Sequence, residues 1–468
     1  MTYPDRGRIR TGGRAAMWIA VLLSACLALL VGCAPANDAP ETDETPTADL
    51  AHSATLMVED LAAGDPATMY EAFSETLAGQ LTEAQLSDAW QQGVQVAGEF
   101  RAVHDVSVRE EGGLSVAEVI VDGEKQGLTV TLSFSASGEV EGVWFAPSPA
   151  VDETGEEATE APLPEGVTQE EVEVGEYALP GLVTVPSEES MAHGPQAVVL
   201  LVAGSGPNDM DETIGAAGNA PLRDLAHQLA AEGIPSLRYD KRFHADPALV
   251  AEDETIQGEV LDDVTAALDL LASHPVAADR DIVVVGHSLG GMLVPAIVTE
   301  NPGVAGAAIL AGTPRSLWDV ILDQNAAVIE QSGADEAAAA EQMQQVEAEI
   351  DRANSLTDPG ADPVFGSLPA AYVVSLNELN LAEIAQTLRI PLLVLQGDAD
   401  FQISADRDFE AWKEVLVDVP DVTYELFPGL NHLFMETTGA EDMTDYDEPN
   451  VVAPEVSEAI VDWMTERW

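Results

Sequence analysis

One short segment, Gly-His-Ser-Leu-Gly-Gly at residues 286–291, constrains the fold more than any other part of the chain. It follows the apolar run 282–285 directly and leads into the helical pattern 292–296. The glycines that flank the serine are needed because a side chain there would collide with the backbone as it reverses. The pattern therefore predicts a buried strand, a tight turn that exposes Ser288, and a helix. This arrangement is typical of a nucleophilic serine at the carboxyl end of a sheet.

A nucleophilic serine needs a base, and few residues of this chain qualify. In a sheet of this kind an acid and a histidine follow the serine, in that order. His432 is the only one of the eight histidines that comes after Ser288. Asp398 and Asp400 both follow the apolar run 392–395. We predict Asp400 as the acid because the loop has cleared the strand end there, and we expect Asp398 to bond its own turn.

Acyl transfer also needs hydrogen-bond donors for the oxyanion that forms in the transition state. The backbone amide of Leu289, directly after the candidate nucleophile, is predicted as one donor. The second donor is predicted in the glycine-containing loop after the apolar run 197–202, where the backbone can approach a substrate closely. Ser205 is the candidate in that loop.

Beyond residue 166, short runs of Val, Leu and Ile alternate with stretches of helical spacing. Near-continuous apolar runs are typical of parallel strands that are covered on both faces. They predict a doubly wound, mostly parallel α/β sheet over residues 167–468. The predicted strands are 197–202, 234–239, 282–285, 307–310, 392–395 and 423–427.

The strand pattern is interrupted at about 313–389 by a helical insertion rich in Ala, Glu and Gln. We expect this insertion to cover the strand ends as a cap and to shape an acyl pocket. Its large side chains are candidates to line that pocket, with packing inside the cap as the more ordinary role. They are Trp318, Met343, Phe365 and Tyr372.

Longer motifs around the site resemble those of bacterial EstD-type carboxylesterases, which have the α/β-hydrolase fold. The likeness covers about residues 167–468 and implies that nucleophile, acid and base are Ser288, Asp400 and His432. It also implies that Asp240 and Arg242 brace the oxyanion loop, with a plain salt bridge as the alternative. The segments that carry the likeness are 204–209, 211–214, 237–242, 286–291 and 395–397.

Residues 48–146 predict a second, smaller unit. A helical pattern gives way after Gly98 to a period of two, in four apolar runs with glycine-containing turns. Helices followed by an antiparallel sheet form a small α+β domain, which resembles the NTF2-like domain that often precedes bacterial esterases. His104 is its one candidate catalytic group, and we assign the domain no chemistry. The acidic, proline-rich segment 147–166 is predicted as a linker.

Residues 1–32 predict an export signal. Four arginines precede the apolar run 15–31, and the ending Leu-Val-Gly before Cys33 resembles a bacterial lipobox, which would leave Cys33 lipidated. An uncleaved anchor helix is the alternative. Cleavage would remove Cys26, so no cysteine pair would remain for a disulfide. Residues 33–47 are predicted as a disordered tether, and the protein as an extracytoplasmic lipoprotein anchored to the cell membrane.

The charge of the chain limits its partners. With 83 acidic and 18 basic residues, the formal net charge is -65, which excludes binding to nucleic-acid phosphates. Such an excess is typical of proteins in high salt, where counterions screen self-repulsion; an acidic secreted protein is the alternative. The sequence contains no metal-ligand cluster and no phosphate loop, so neither a metal nor a cofactor is expected.

These features together predict hydrolysis of small or medium acyl esters through an acyl-enzyme. A serine peptidase or a thioesterase would use the same residues. A non-catalytic lipoprotein that binds a ligand is the alternative from a different class.

Overall fold

The computed structural model describes residues 47–74, 77–78, 81–98, 100–111, 114–123, 127–135, 137–148, 163–215, 217–246, 249, 254–331, 336–365 and 368–468. The predicted signal, the lipidation site Cys33, nearly all of the tether and most of the linker 147–166 lie outside the described residues. These interpretations therefore stay predictions. Within the described part of the chain, no helix has the length and apolar character needed to cross a bilayer.

The first part of the described chain is a small α+β unit. Its helices include α1 (Thr47–Ala62), α2 (Ala67–Tyr70) and α3 (Glu83–Ala97). An antiparallel sheet follows, with strands paired in chain order: β1 (Phe100–Glu111), β2 (Leu114–Gly123), β3 (Gly127–Phe134) and β4 (Val140–Ser148). Alternate side chains of β2 and β3 are buried, so one sheet face packs on the helices. His104 is exposed on β1.

The second part of the described chain is built on an eight-stranded sheet. In space its order is β12-β11-β10-β9-β7-β8-β6-β5, parallel from β12 to β8. The strands are β5 (Thr168–Val174), β6 (Leu179–Val185), β7 (Ala197–Val202), β8 (Ser236–Tyr239), β9 (Asp281–His287), β10 (Val304–Leu310), β11 (Leu392–Gly397) and β12 (Val422–Phe427). This confirms the predicted mostly parallel α/β sheet.

Strands β5 and β6 are not among the strands predicted from sequence. They form an antiparallel hairpin at one edge of the sheet, and β6 pairs antiparallel with β8. The sequence of β5, Thr-Gln-Glu-Glu-Val-Glu-Val, is mostly polar because most of this edge strand faces solvent. A search for near-continuous apolar runs finds only strands that are covered on both faces.

Helices cover both faces of the large sheet. They are α4 (Glu188–His193), α5 (Pro221–Ala231), α6 (Arg242–Ala245), α7 (Asp262–Ser273), α8 (Leu289–Glu300), α9 (Leu317–Gln331), α10 (Glu336–Ser355), α11 (Ala370–Glu378), α12 (Leu381–Ala385), α13 (Glu410–Val415) and α14 (Pro454–Thr465). One turn of π-helix, Gln257–Leu261, precedes α7, and another, Ala405–Phe409, precedes α13.

Two apolar cores lie on opposite faces of the sheet. Along β7, Val198, Leu200 and Val202 enter the core beneath α7 and α8, whereas Val199 and Leu201 enter the core beneath α5 and α14. Every side chain of β7 is therefore buried, although the strand alternates between faces. This explains the uninterrupted apolar run in the sequence.

Helices α9 to α12 form the predicted insertion between β10 and β11. The four large side chains considered for its pocket pack instead within the apolar core. Trp318 and Tyr372 are buried there, and Met343 and Phe365 are half-buried against it. The cap therefore shares one continuous apolar core with α7, α8 and the sheet face that these helices cover.

Candidate active site

The turn between β9 and α8 holds Ser288 in an unusual backbone conformation, with φ 53° and ψ -116°. Such a positive φ is costly for a residue other than glycine and persists only where the surroundings enforce it. A Cβ atom on Gly286 would lie 2.4 Å from the carbonyl oxygen of Gly290, and one on Gly290 would lie 2.5 Å from that of Val202. The backbone therefore reverses only because both positions are glycine.

His432 and Asp400 are in contact. His432 Nδ1 lies 2.8 Å from Asp400 Oδ2, which also accepts from Gln396 Nε2 at 2.7 Å. Asp400 Oδ1 accepts from the backbone amides of Gln402 and Ile403 at 2.8 and 2.9 Å. A carboxylate in this setting is an acceptor only, so His432 Nδ1 carries a proton and donates it. The other ring nitrogen, Nε2, is left able to accept a proton.

Asp398 contacts the loop that carries His432 through the backbone instead of through the histidine ring. It was expected to bond its own turn, but Oδ1 accepts instead from the backbone amide of Gly429 at 2.6 Å. This contact joins the loop after β11 to the loop that carries His432. Asp398 is exposed, whereas Asp400 is buried.

The structure brings four of the predicted site residues to one cavity. It measures about 430 Å³ with its open mouth, and its lining includes Ser288, Leu289, His432 and Ser205. Asp400 lies behind His432. The other lining residues come from the cap helix α9, from α8 and from nearby loops: Met292, Thr313, Leu317, Val320, Ile321, Gln324, Gln402 and Ile403.

Asp240 and Arg242, the predicted braces of the oxyanion loop, have different roles. Asp240 Oδ1 accepts from the backbone amide of Met210 at 2.7 Å and so holds the loop after β7; burial raises the pKa of this carboxyl group. Arg242 instead forms a two-pronged ion pair with Asp263, at 2.9 and 2.8 Å, on α7. For Arg242 the plain salt bridge is therefore the role that the structure supports.

Lys241 lies between Asp240 and Arg242 in the sequence and contacts the predicted oxyanion loop directly. Its Nζ donates to the carbonyl oxygen of Gly204 at 3.1 Å and pairs with Glu259 at 2.6 Å. Sequence reasoning missed this contact. The available signal was that the chain has only three lysines and that this one falls inside a motif segment.

Glu212 and His287 were also missed as site residues. Glu212 Oε1 accepts from the backbone amide of Gly204 at 2.7 Å, and Oε2 lies 2.8 Å from His287 Nδ1. Both side chains are buried. Burial by itself lowers the pKa of His287, but the Glu212 carboxylate, the backbone carbonyl of His432 and the Asp400 charge together outweigh burial and raise the pKa above its ordinary value. The sequence shows that both residues lie inside motif segments, 211–214 and 286–291, but not that they meet.

No group of three or more His, Cys, Asp or Glu side chains in the described residues is arranged to hold a metal ion.

A doubly wound sheet, a serine at a strained strand-to-helix turn and a helical cap define a class of enzyme. The protein is a serine hydrolase with the α/β-hydrolase fold. A family model described as serine aminopeptidase, S33, matches residues 219–438, and a family of unknown function, DUF3887, matches residues 54–143.

The chain is similar over most of its length to Esterase EstD of Thermotoga maritima, with 29% identity over 417 residues. The alignment covers 88% of this chain and 94% of that protein. Similar solved structures include Est1E from Butyrivibrio proteoclasticus, with 17% identity, a TM-score of 0.39, and coverage of 64% of this chain and 98% of that one. Another is the Pyrococcus furiosus esterase Pf2001, with 14% identity, a TM-score of 0.40, and coverage of 64% and 90%.

Proposed function

We propose that this enzyme hydrolyses carboxylic esters with small or medium acyl chains through an acyl-enzyme on Ser288. The observation that carries the proposal is that Ser288 and His432 line one cavity while Asp400 accepts a hydrogen bond from Nδ1 of His432. In the first half-reaction Ser288 Oγ attacks the ester carbonyl carbon and His432 Nε2 takes the hydroxyl proton. The alcohol leaves with that proton when the tetrahedral intermediate collapses.

Water completes the reaction by the same route. His432 takes a proton from water, the hydroxide adds to the acyl carbon, and Ser288 leaves with the proton as the acid is released. The amide of Leu289 and the loop residue Ser205 are the proposed donors to the oxyanion in both halves. One such donor is typically worth roughly 3 kcal/mol in the transition state.

The apolar side chains of the cavity wall support an acyl group as the bound part of the substrate. Cap helix α9 contributes Leu317, Val320 and Ile321, and Met292 of α8 faces the same space. These side chains are apolar, as the walls of a site for an acyl chain should be.

Peptidase activity is the second candidate, because the matching family model carries an aminopeptidase description. An aminopeptidase must bind the positively charged amino group of its substrate, for which a carboxylate is the natural partner. The described residues that line the cavity include no Asp or Glu, and Asp400 points to His432. This favours an uncharged acyl group and hence an ester.

A substrate panel tests this proposal. Purified enzyme and Ser288→Ala are assayed on p-nitrophenyl esters from acetate to palmitate and on aminoacyl p-nitroanilides. We expect hydrolysis of the short and medium esters, none by the variant, and little on the anilides. Preference for aminoacyl anilides would replace the ester assignment with a peptidase. A folded wild-type enzyme inactive on the whole panel would favour the ligand-binding alternative.

The cellular location is a separate proposal, supported by the signal pattern before Cys33. At about 0.8 kcal/mol per buried methylene, one acyl chain binds a membrane only marginally, whereas two or three chains anchor it stably. We expect wild-type protein in the membrane fraction and Cys33→Ala in the soluble fraction. Membrane retention of the variant would support the uncleaved anchor helix instead.

A further inference from the structure

Both ring nitrogens of His287 lie against hydrogen-bond acceptors. Nδ1 is 2.8 Å from Glu212 Oε2, and Nε2 is 2.9 Å from the backbone carbonyl oxygen of His432. A carbonyl oxygen only accepts, and an ionised carboxylate only accepts. A neutral imidazole has a single N–H, so it satisfies only one of these two contacts. An imidazolium satisfies both.

Glu212 is placed as the counterion of this ring. Its second oxygen accepts from the backbone amide of Gly204, so both carboxylate oxygens face donors. Glu212 itself has a positive φ of 56°, a conformation that its surroundings must hold in place. His287 and Glu212 are each buried, and an isolated charge on either would be costly there.

The pair touches three segments that the proposed reaction uses. Gly204 belongs to the oxyanion loop, His287 directly precedes the nucleophile Ser288, and the carbonyl of His432 belongs to the base. These segments also lie very close together: a Cβ atom on Gly204 would be only 3.0 Å from Ser288 Cβ. A small change in this pair would therefore shift the nucleophile, the base and the oxyanion loop relative to one another.

We propose that His287 is a doubly protonated positioning residue, and that its ion pair with Glu212 fixes the oxyanion loop and the base loop against the nucleophile turn. The inference rests on the proposed catalytic use of Ser288 and His432. His287 touches neither substrate nor reacting atoms and acts through the backbone of its neighbours.

The charged and titratable groups that face His287 come from each segment packed on it. Glu212 belongs to the loop after β7, and Asp400 lies behind the ring of His432, whose centroid is 4.8 Å from that of His287. Phe434 covers another side of the ring. The Glu212 and Asp400 charges favour the imidazolium, so the ring stays protonated above its ordinary pKa and loses its proton only as the pH rises further.

Side-chain ¹⁵N–¹H NMR of the full chain tests the protonation state directly. We expect two N–H signals from His287 at pH 7, assigned by their loss in His287→Gln. In Glu212→Gln the new amide must donate to Nδ1 if it is to keep the Gly204 contact, so we expect a single N–H, at Nε2. A wild-type His287 with one N–H, which would place the proton on Glu212 or leave the ring neutral, would overturn the proposal. This measurement needs no activity and is independent of the proposed function.

Kinetics test the positioning role. We expect kcat of His287→Gln to fall by about 100-fold, with a smaller change in KM, because a misplacement of roughly 1 Å can cost that much. Glu212→Gln can keep each hydrogen bond with a neutral ring, so its loss should be smaller, and it should lack any decline of activity that deprotonation of His287 causes in the wild type at high pH. If both folded variants have wild-type kcat and an unshifted pH profile, the positioning role is wrong.

Matched substitutions elsewhere serve as controls. His227→Gln changes a half-buried histidine whose partner is Gln169, at 3.3 Å. Glu170→Gln changes the carboxylate of another Glu–His pair, with His274 at 3.2 Å. Both variants should keep wild-type kcat. If His287→Gln fails to fold, the loss of the Nδ1 signal in Glu212→Gln assigns the NMR signals instead, and the NMR and kinetics of that variant still decide the question.

Discussion

At the scale of single residues, two aspartates of one loop illustrate how position separates roles. Asp400 is buried with both oxygens occupied by donors, one of which is His432. Asp398 is exposed and fastens a backbone amide of the loop that carries His432. Their side chains are identical, so the difference between them comes from their surroundings alone.

Asp400→Asn should abolish most of the activity while preserving the fold. The amide oxygen must face the two backbone amides of Gln402 and Ile403, which turns the NH₂ group toward His432 Nδ1. That nitrogen then has to accept, so the proton moves to Nε2 and the base cannot take the Ser288 proton. Loss of the correct tautomer typically lowers kcat by roughly 10⁴-fold. Steady-state kinetics measure the effect.

Asp398→Asn is the matched control for this prediction. Its amide oxygen can still accept from Gly429, so kcat should change little. Equal losses in the two variants would mean that Asp400 has no special role in the relay.

The sequence predicted the candidate triad because each member has a recognisable position in the sequence. The serine is flanked by glycines after an apolar run, the carboxylate follows a later apolar run, and the histidine lies near the carboxyl end. No comparable sequence pattern assigns a role to Glu212, His287 or Lys241. Three of their contacts join residues 37, 75 and 145 positions apart, and only the folded chain shows which segments meet.

At the scale of elements, α9 supplies much of the apolar wall of the cavity that we propose as the acyl pocket. Of the five apolar lining residues contributed by the cap and α8, three belong to this helix: Leu317, Val320 and Ile321. The sequence predicted the cap but not which of its faces meets the cavity. The large aromatic side chains pack in the core, and smaller branched ones line the pocket.

Leu317→Ala should lengthen the accepted acyl chain. Leu317 is half-buried and lines the cavity, so truncating it enlarges the pocket at modest cost to folding. We expect the ratio of kcat/KM for p-nitrophenyl octanoate over butyrate to rise about tenfold, in line with the 1 to 3 kcal/mol of roughly one methylene.

Leu322→Ala removes the same group from the same helix. Leu322 is also half-buried against the core, but it does not line the cavity. Its chain-length ratio should stay at the wild-type value. An equal shift in both variants would show that helix packing, rather than contact with the acyl chain, sets the preference.

The strands that are covered on both faces could be predicted from the sequence, whereas the hairpin at the edge of the sheet could not. Strands β7 and β9 to β11 coincide closely with the predicted apolar runs because burial on both faces requires apolar side chains throughout. Strand β12, at the other edge of the sheet from β5, coincides with the predicted strand 423–427 although it is mostly not buried. The hairpin of β5 and β6 was missed because its outer strand carries polar residues toward solvent. The small domain was predicted from its change of period, since its one-sided sheet shows alternation.

At the scale of the whole molecule, the net charge of -65 is the dominant property. The few buried cationic side chains of the sheet domain form ion pairs with carboxylates, as in the pairs Arg238–Asp211 and Arg242–Asp263. The remaining acidic groups repel one another across the surface, and salt screens that repulsion over about 10 Å at 0.1 M and about 3 Å at 1 M.

A salt series in thermal unfolding tests whether the surface is adapted to high salt. We expect Tm to rise by about 5 °C or more between dilute buffer and 2 M sodium chloride, or roughly 2 kcal/mol for a domain of this size. Chloride is the appropriate anion because sulfate stabilises folded proteins in general. A flat response would favour an ordinary acidic secreted protein.

The central claim is that Ser288 is an activated nucleophile, and covalent labelling with a fluorophosphonate tests it most directly. Folded wild-type protein should gain one adduct, located by peptide mass spectrometry on Ser288, whereas Ser288→Ala should gain none and Asp400→Asn should react far more slowly. If folded wild-type protein carries no adduct at Ser288, or reacts equally well without Asp400, the account of an activated serine is contradicted.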